Sequence, residues 1–267
     1  TVTGDGVGDN PETGAYRHTF KHASDGGFLP WMSLKKFIPG DSTSNDLGEI
    51  YTDMKAVGLT FNLANDAPIS ARADFIGRDF TQADPSGWSW ENTYESYQSI
   101  PVGCAVDGYM KVPNFSASEL PIVGATVAIQ NSPLDIRQEK VYGSPMLEDV
   151  TIIGRAVTYD VVLKWKDPAL YRSILTGSSS GTAWTATPYV QNLDILAVSP
   201  GDISGLTQPY KLRMQSAAVM WQVNGGLRLA ANQSVMMRLT GTAIEPSSGE
   251  FAELAIDNEV AAYAWPS

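Results

Sequence analysis

The sequence predicts a mainly β fold, a β-sandwich or partial barrel with one short flanking α-helix at about residues 167–177. Apolar and polar residues alternate with a period of two along much of the chain, and Asn, Asp, Gly and Pro separate these runs. Only one segment combines helical spacing with clear end signals. With 267 residues, the chain is long enough for one large β domain or two smaller ones, and for a sizeable core.

A first hairpin is predicted around the clearest alternation in the chain. Apolar residues occupy every second position from Val57 to Leu63, and again after residue 68. The segment Asn-Asp-Ala-Pro at 65–68 between them is typical of a turn. We expect one side of this hairpin to carry Val57, Leu59, Phe61, Leu63, Ile69, Ala71, Ala73 and Phe75.

A second hairpin is predicted around Asn-Gly-Gly at 224–226, since Asn and Gly accept the positive φ of tight turns. Alternation precedes this turn and is expected to resume with Leu227 and Leu229. The apolar positions are Val219, Trp221 and Val223 before the turn and Val235, Met237 and Leu239 after it. Two further strands are predicted at residues 155–165 and 123–129.

The helix is predicted over residues 168–176. Asp167 is a good N-cap, Pro168 suits the first helical position, and Gly177 suits a left-handed C-terminal residue. The apolar residues of this segment fall on one face, which should pack on a sheet: Leu170, Tyr171, Ile174 and Leu175.

Residues 21–50 and 81–104 are predicted to be long connections, since they are rich in Gly, Pro, Ser and aromatic residues. Trp and Tyr are residues that anchor interfaces, so such loops either bind a partner or fold back over the core of the protein. The aromatic residues in question are Trp31, Phe37, Tyr51, Trp88, Trp90, Tyr94 and Tyr97.

Catalytic and metal chemistry find little support in the sequence. His18 and His22 are the only histidines, and alternation around them predicts a strand, which makes them poor co-ligands for zinc. The acidic residues between Gly4 and Gly14 match no EF-hand register. The Gly-Ser-Ser-Ser-Gly segment at 177–181 follows a helix, whereas a nucleophile elbow follows a strand. We expect no enzyme, no cofactor and no metal, with Cys104 as a small buried residue.

Charge and hydropathy exclude two further classes. Acidic residues outnumber basic ones 29 to 18, the formal net charge is −11, and no Lys/Arg cluster occurs. Ordinary nucleic-acid binding through phosphate contacts is therefore not expected, although a conduit through which DNA slides would suit this sign of charge. The chain lacks a run of about 18 apolar residues, so no membrane span is expected.

Four stretches, taken in order, resemble the tail tube (major tail) proteins of long-tailed bacteriophages. They are TGAYRHTFKH with LPWMSLKKFIPG, then MKAVGLTFNLANDAPISARADFIGRDF, then TIIGRAVTYDVVLKWKDPALYRSILTG, and finally AVMWQVNGGLRLAANQSVMMRLTGTA with ELAIDNEVAAYAW. Together they cover roughly half of the chain. Each is a strand pattern of ordinary residues, so the resemblance lies in their order.

The resemblance implies a β-sandwich whose copies join by sheet edges into a continuous β-barrel and stack into a tube. Residues 1–14 would be an N-terminal arm, and residues 15–267 the tube domain, as one unit or as two tandem halves at about 15–130 and 131–267. The partners implied are the protein itself, in hexameric rings or trimeric pseudo-hexamers, together with the tape-measure, tail-tip and terminator proteins. DNA would pass without specific binding. The location implied is the virion tail, assembled in the host cytoplasm.

The same resemblance assigns roles to the residues above. The two hairpins would join subunits, the aromatic connections would stack rings, and His18 and His22 would be structural. Candidate lumen residues are Thr60, Asn62, Ser70, Arg72, Asp74, Arg228 and Arg238. The charge of Arg72 offsets that of Asp74, so this side of the hairpin is not an acidic wall. Either the opposite side of the hairpin lines the lumen, or the excess of acidic residues lies on the outside of the tube. The alternatives are another β-rich virion or surface component, such as a capsid decoration or glycan-binding adhesin, and, third, a glycoside hydrolase.

Overall fold

The structure, a computed structural model, describes residues 2–3, 11–21, 30–42, 45–64, 67–87, 104–111, 120, 122–134, 140, 149–165, 168–203, 205–225, 234–247 and 251–261. Within these ranges it has one α-helix, α1 (Ala169–Thr176), a 3₁₀ turn (Pro85–Gly87) and twelve strands. The strands are β1 (Val2–Thr3), β2 (Tyr16–Lys21), β3 (Met32–Ile38), β4 (Leu47–Ala64), β5 (Ser70–Ala83), β6 (Cys104–Lys111), β7 (Ile122–Pro133), β8 (Ile152–Lys164), β9 (Tyr189–Asp202), β10 (Pro209–Val223), β11 (Met236–Ala243) and β12 (Glu253–Asn258). The predicted mainly β class is confirmed.

All twelve strands belong to one antiparallel sheet that does not close on itself. Its main path runs β1-β2-β12-β10-β11-β8-β7-β4-β3, with β5 beside β4, β9 beside β10 and β6 beside β9. Two long strands change partners along their length. The first part of β10 pairs with β12 and the last part with β11, while β4 pairs first with β3 and later with β7.

β10 changes partners next to a register irregularity with β9, between Ser216 and Val219. We call β5, β4, β7, β8, β11, the end of β10 and the start of β9 the wide layer. The narrow layer consists of β6, the rest of β9, the start of β10, β12, β2 and β1. Buried side chains of both layers form one apolar cluster, and the helix packs on it beside β9 and β10.

The centre of the core is one row of three residues across neighbouring strands. Trp221 in β10 pairs with Gly241 in β11, which pairs with Tyr159 in β8. The two rings lie 6.4 Å apart between centroids. A Cβ on Gly241 would lie 2.8 Å from Cζ3 of Trp221 and 2.7 Å from Cγ1 of Val219. The row therefore needs a residue without a side chain in its middle.

Gly241→Ala is expected to lower the free energy of unfolding by about 1–3 kcal/mol, because the aromatic row and Val219 must shift to admit a methyl group. Denaturant unfolding of dilute protein measures this loss. Gly124→Ala is the matched control, since a Cβ there meets only the Leu63 carbonyl oxygen, at 3.5 Å. That variant should be neutral or gain up to about 1 kcal/mol, because alanine restricts the unfolded chain. Equal losses in both variants would contradict this view of the core.

The helix follows its predicted range closely. It begins after Pro168, which stands at the N-cap instead of the first helical position and makes no side-chain capping bond. Asp167, the predicted cap, lies outside the described residues. Gly177 has the predicted left-handed conformation, with φ 77°, and its N–H donates to the Ser173 carbonyl oxygen at 2.9 Å. Leu170 and Ile174 are buried, and Tyr171 meets Trp165 edge to face.

The second hairpin differs from the prediction of a tight turn. Val223 pairs with Leu239, whereas a tight turn at 224–226 would pair it with residue 226 or 227, and β11 begins at Met236. Gly225 does have the positive φ expected there, at 78°. Leu227 and Leu229 lie outside the described residues. Turn residues alone could not indicate this, because register is set by the apolar pattern of both strands.

The prediction that residues 21–50 form a connection is wrong in part. They contain β3 and the start of β4. Residues Ser33 to Phe37 are all exposed, so β3 has no buried side and no alternation that would predict a strand. Of residues 81–104, the first belong to β5 and the 3₁₀ turn, and 88–103 lie outside the described part.

Candidate self-assembly surface

The side of the wide layer that faces away from the core is polar, and two cross-strand rows define it. The first row contains Ser70, Asn62, Thr126, Asp160, Thr240 and Gln222. The second contains Arg72, Thr60, Ala128, Thr158, Thr242, Met220 and Val190, and crosses all seven strands. We call this surface the polar face.

Strand geometry produces the polar face. Alternate residues of the same strands are the buried apolar ones, for example Phe61, Val127 and Leu239, so their neighbours must point outward. Every described lumen candidate belongs to this surface or to its rim: Thr60, Asn62, Ser70, Arg72, Asp74 and Arg238. Arg228 lies outside the described residues.

The charges of the polar face are paired with each other. Nε of Arg72 donates to Oδ1 of Asp74 at 2.9 Å, and Nε of Arg238 donates to Oδ1 of Asp160 at 2.8 Å. The Asp160 carboxylate raises the pKa of Arg238, so this guanidinium stays charged. The other members of the two rows are uncharged. The face is thus a neutral surface, mostly of hydroxyl and amide groups with three apolar side chains (Ala128, Met220 and Val190), on a protein with a formal net charge of −11.

The first predicted hairpin lies at one border of the wide layer. It is formed by β4 and β5, as predicted, with Phe61 opposite Ala71 and Leu59 opposite Ala73. Val57 is the extra residue of a bulge between Ala56 and Gly58. Phe61 and Leu63 are buried, whereas Ala71 and Ala73 are exposed; Leu59, Ile69 and Phe75 are intermediate. Within the described ranges, no strand pairs with the second edge of β5.

The second predicted hairpin lies inside the sheet. Its strand β10 has β9 on one side and β12 and β11 on the other, and β11 lies between β10 and β8. Val219, Trp221 and Met237 are buried, and Val235 accepts a backbone hydrogen bond from Trp165. These strands therefore offer no edge to another subunit over the length described.

Three of the aromatic contact candidates lie together on an extension of the sheet. This extension consists of β3, the first half of β4 and the second half of β5. Trp31 immediately precedes β3, Phe37 is within it, and Tyr51 is in β4, so these residues are on or next to strands and not in loops. Phe80 of β5 lies 5.1 Å from Tyr51 between ring centroids. Trp31, Phe37 and Phe80 are exposed, so the extension presents three large aromatic side chains to solvent. Trp88, Trp90, Tyr94 and Tyr97 lie outside the described residues.

A cluster of charges surrounds Trp31 at the base of the extension. Nζ of the buried Lys55 lies 4.3 Å from the Trp31 ring centroid, and the Arg78 guanidinium lies 5.7 Å from it. Nζ of Lys55 also donates to Oδ1 of Asp149 at 2.6 Å and to the Val150 carbonyl oxygen at 3.2 Å. The hydrogen bond from Lys55 holds the pKa of Asp149 below its ordinary value.

Asp149→Asn is expected to destabilise the protein by about 1 kcal/mol near neutral pH, because the buried Lys55 ammonium loses its charged partner while Asp149 itself is partly exposed. Since the folded pKa of Asp149 is lowered, its ion pair contributes above the ordinary carboxyl pKa and is lost as pH falls through the lowered value. The difference between the two proteins should therefore vanish in acid. Unfolding between pH 7 and pH 2 tests this, with Asp74→Asn as the exposed control. A difference that persists in acid would contradict it.

An apolar cleft of about 710 Å³ separates the two layers on one side. Leu59, Phe61 and Val157 line it from the wide layer, and Phe20, Leu254 and Ile256 line it from the narrow layer. Ala71 of β5 is exposed and lies at its mouth, so the cleft opens beside the β5 edge. The sequence did not predict this cleft, because alternation shows which residues face inward but not where two layers part.

The narrow layer carries two ion pairs on its outward side. Arg17 of β2 donates Nε and Nη2 to Oδ1 and Oδ2 of Asp257 in β12, at 2.7 and 2.8 Å. Arg213 of β10 donates in the same two-pronged way to Asp194 of β9, at 2.9 and 2.8 Å. Asp257 and Asp194 are both buried, so these pairs join neighbouring strands at sites of low solvent access.

No metal-binding cluster of three or more His, Cys, Asp or Glu residues occurs among the described residues. His18 is buried in β2, and its Nε2 lies 2.7 Å from the Val260 carbonyl oxygen, a contact that holds the chain after β12 against β2. His22 and the acidic segment at 4–10 lie outside the described part, as does the side chain of Cys104. Among the described helices, none is long and apolar enough to cross a membrane.

Burial raises the pKa of Tyr159 to about 12, and its hydroxyl lies 2.5 Å from Oγ of Ser216, so it is a protonated core group. The features of the described residues that stand out are thus the polar face, the β5 edge, the extension and the apolar cleft. Comparison with known proteins found no family model that matches the chain and no match among curated proteins.

Proposed function

We propose that this chain is a structural protein of a long-tailed bacteriophage, whose copies join by their sheet edges into rings that stack as the tail tube. The observation that carries the proposal is the seven-stranded polar face, bordered by the fourteen-residue strand β5, which has no described strand on its second edge. A long open edge is a liability in a protein that remains single, since it can pair with any exposed strand. Joining copies into a closed barrel removes it.

The polar face would line the lumen. A conduit for DNA must not retain phosphate, and retention requires unpaired cations. On this face the two arginines are paired with aspartates, so the wall would be neutral and hydroxyl-rich instead of acidic. The acid excess of the chain would then lie elsewhere. DNA, and during assembly the tape-measure protein, would slide over a wetted surface without specific binding.

The extension would provide contacts between rings. Its exposed aromatic residues lie on or next to strands that extend beyond the core. They can therefore contact a neighbouring copy without a change in the fold. Tail-tip and terminator proteins would meet the same surface at the two ends of the tube. In this proposal the protein resides in the virion and performs no catalysis.

The number of strands in the wide layer determines the diameter of the barrel that a given number of copies would form. Three copies of a seven-stranded layer would make a barrel about 40 Å across its backbone, and six copies one about 80 Å across. Only the narrower barrel would surround a single duplex closely. We therefore favour three copies in each ring.

Electron microscopy of the concentrated protein tests the proposal. Rings or tubes with a central channel are expected, and their rotational symmetry gives the ring order. Particles that remain single at every concentration would overturn the proposal and favour another β-rich surface component.

A chemical test locates the lumen. With Cys104 replaced by alanine, Thr158→Cys places one thiol on the polar face, and Ser179→Cys places one in the exposed segment after the helix. In assembled protein, a bulky polymer maleimide should label position 179 but not position 158, while both react in dispersed subunits. Labelling of position 158 in intact tubes would show that the polar face lies outside.

A further inference from the structure

Trp184 is the large apolar side chain with the greatest exposure in the described part of the chain, at 75%. It lies between the helix and β9, in a segment held by a hydrogen bond from the Thr185 N–H to the Leu175 carbonyl oxygen at 3.0 Å. Exposing an indole in an ordered segment is unfavourable for a protein that acts alone. Such a side chain is a typical anchor for a partner.

The strand after Trp184 forms the second border of the wide layer. Tyr189, Val190 and Gln191 pair with β10, while β6 pairs with β9 only from residue 194 onward. As far as the chain is described, the start of β9 therefore has a second edge without a paired strand. Oε1 of Gln191 and Oδ1 of Asn192 on this strand are buried without a hydrogen-bond partner, as are Nε1 of Trp221 in the core and Oγ1 of Thr240 on the polar face. The open edge at the start of β9, and not these enclosed atoms, is the feature that a second copy would complete.

The opposite border of the same layer has the complementary features. There the edge strand is β5, and the apolar cleft of about 710 Å³ opens beside it at Ala71. Its lining is almost entirely hydrocarbon, from Leu59, Phe61 and Ile129 on one side and Phe20, Leu254 and Ile256 on the other. An indole buries about 150–250 Å² on entering such a site.

We propose that Trp184 of one copy inserts into the apolar cleft of the next, as the start of β9 pairs with the β5 edge. This inference rests on the proposed ring assembly and identifies the contact between neighbouring subunits of the ring. Trp184 lies five positions before Tyr189, and a chain of that length spans at most about 18 Å. Pairing of the two strand edges therefore brings the indole within reach of the cleft mouth. Because the two borders differ, the contact is head-to-tail, and repeating it closes a ring.

Two variants with one defective border each test this contact. Trp184→Ala removes the inserted side chain, and Ala71→Trp fills the cleft mouth; both positions are exposed, so both variants should keep the wild-type circular dichroism and unfolding transition. Each alone should require at least about 30-fold more protein to assemble, as expected for loss of one interface anchor. Ile153→Ala is the matched control, since Ile153 is 64% exposed but lies on β8, an interior strand of the layer.

Mixing the two variants gives the decisive result. Trp184 of the Ala71→Trp chain should enter the intact cleft of the Trp184→Ala chain, which yields one-to-one pairs and nothing longer in sedimentation velocity. Absence of pairs, or assembly of Trp184→Ala at the concentration of Ile153→Ala, would overturn the insertion of Trp184. Loss of assembly in Ala71→Trp without a loss in Trp184→Ala would show that something other than Trp184 occupies the cleft, and would also overturn the proposal. A wild-type protein that never assembles would instead overturn the proposed function itself.

Discussion

Arg17→Met is expected to lower the free energy of unfolding by about 3–5 kcal/mol, because it leaves a buried carboxylate without its partner. The Asp257 side chain is only 2% exposed, and both of its oxygens accept hydrogen bonds from Arg17. The remaining contact, from Nε2 of Gln208 at 3.4 Å, is long and uncharged. Denaturant unfolding at low protein concentration, where copies stay apart, measures the loss without a contribution from assembly.

Arg72→Met is the control for this prediction. Its pair with Asp74 has the same charges and similar distances, but the two side chains are 76% and 44% exposed. We expect a loss below about 1 kcal/mol, because water already screens that pair. The double variant Arg17→Met with Asp257→Leu should recover most of the stability of the wild type, since no charge is then left buried. Equal losses for Arg17→Met and Arg72→Met would contradict the role of burial.

The elements predicted best from sequence are those in which one side of a strand is buried. In β8, Val157, Tyr159, Val161 and Leu163 alternate as predicted and are all buried. The same holds for Phe61 and Leu63 in β4 and for the helix with its terminal Gly177. In these elements the apolar pattern and the burial have the same cause, so the pattern is sufficient.

Where both sides of a strand meet solvent, the sequence carries no such signal. This is why β3 is predicted as a connection. The first half of β4 is missed for another reason, because its apolar residues Ile50, Tyr51 and Met54 do not alternate with a period of two. Pairing across the chain is also hidden: β2 pairs with β12, and Arg17 meets Asp257 over a separation of 240 residues. Asn224 and Gly225 do not indicate the register of β10 with β11, and the sequence around Trp184 does not indicate its exposure, because both depend on strands elsewhere in the sheet.

The candidate surface was predicted in part. Alternation placed Thr60, Asn62, Ser70, Arg72 and Asp74 on one side of a hairpin, and the structure brings them together with residues of β7, β8, β10 and β11. The alternation of apolar residues in a strand does not depend on how many strands lie beside it. The sequence therefore could not show that the second hairpin is interior to the sheet, or that β5 is the border of the wide layer.

Ala73→Lys is expected to prevent assembly, because it places an ammonium group on the core-facing side of the β5 edge. Ala73 pairs with Leu59 of β4, so a strand added to β5 would bury this position against apolar neighbours. An unpaired ammonium buried there would cost several kcal/mol, which corresponds to at least about a hundredfold more protein for the same degree of assembly. Natural sheets use lysine in this way to keep edges from pairing.

Two control variants distinguish an effect at the β5 edge from a general effect of added charge or changed side-chain shape. Ala73→Val keeps an apolar, strand-forming residue at the same position and should assemble as the wild type does. Ala128→Lys adds the same charge to the polar face on β7, an interior strand between β4 and β8, and should also allow rings to form. Sedimentation velocity over a concentration series distinguishes these cases. If Ala73→Lys assembles at the wild-type concentration, β5 does not form the contact between subunits, and copies must meet through the extension instead. If Ala128→Lys fails as well, charge and not position is the cause, because the only property the two variants share is the added ammonium group.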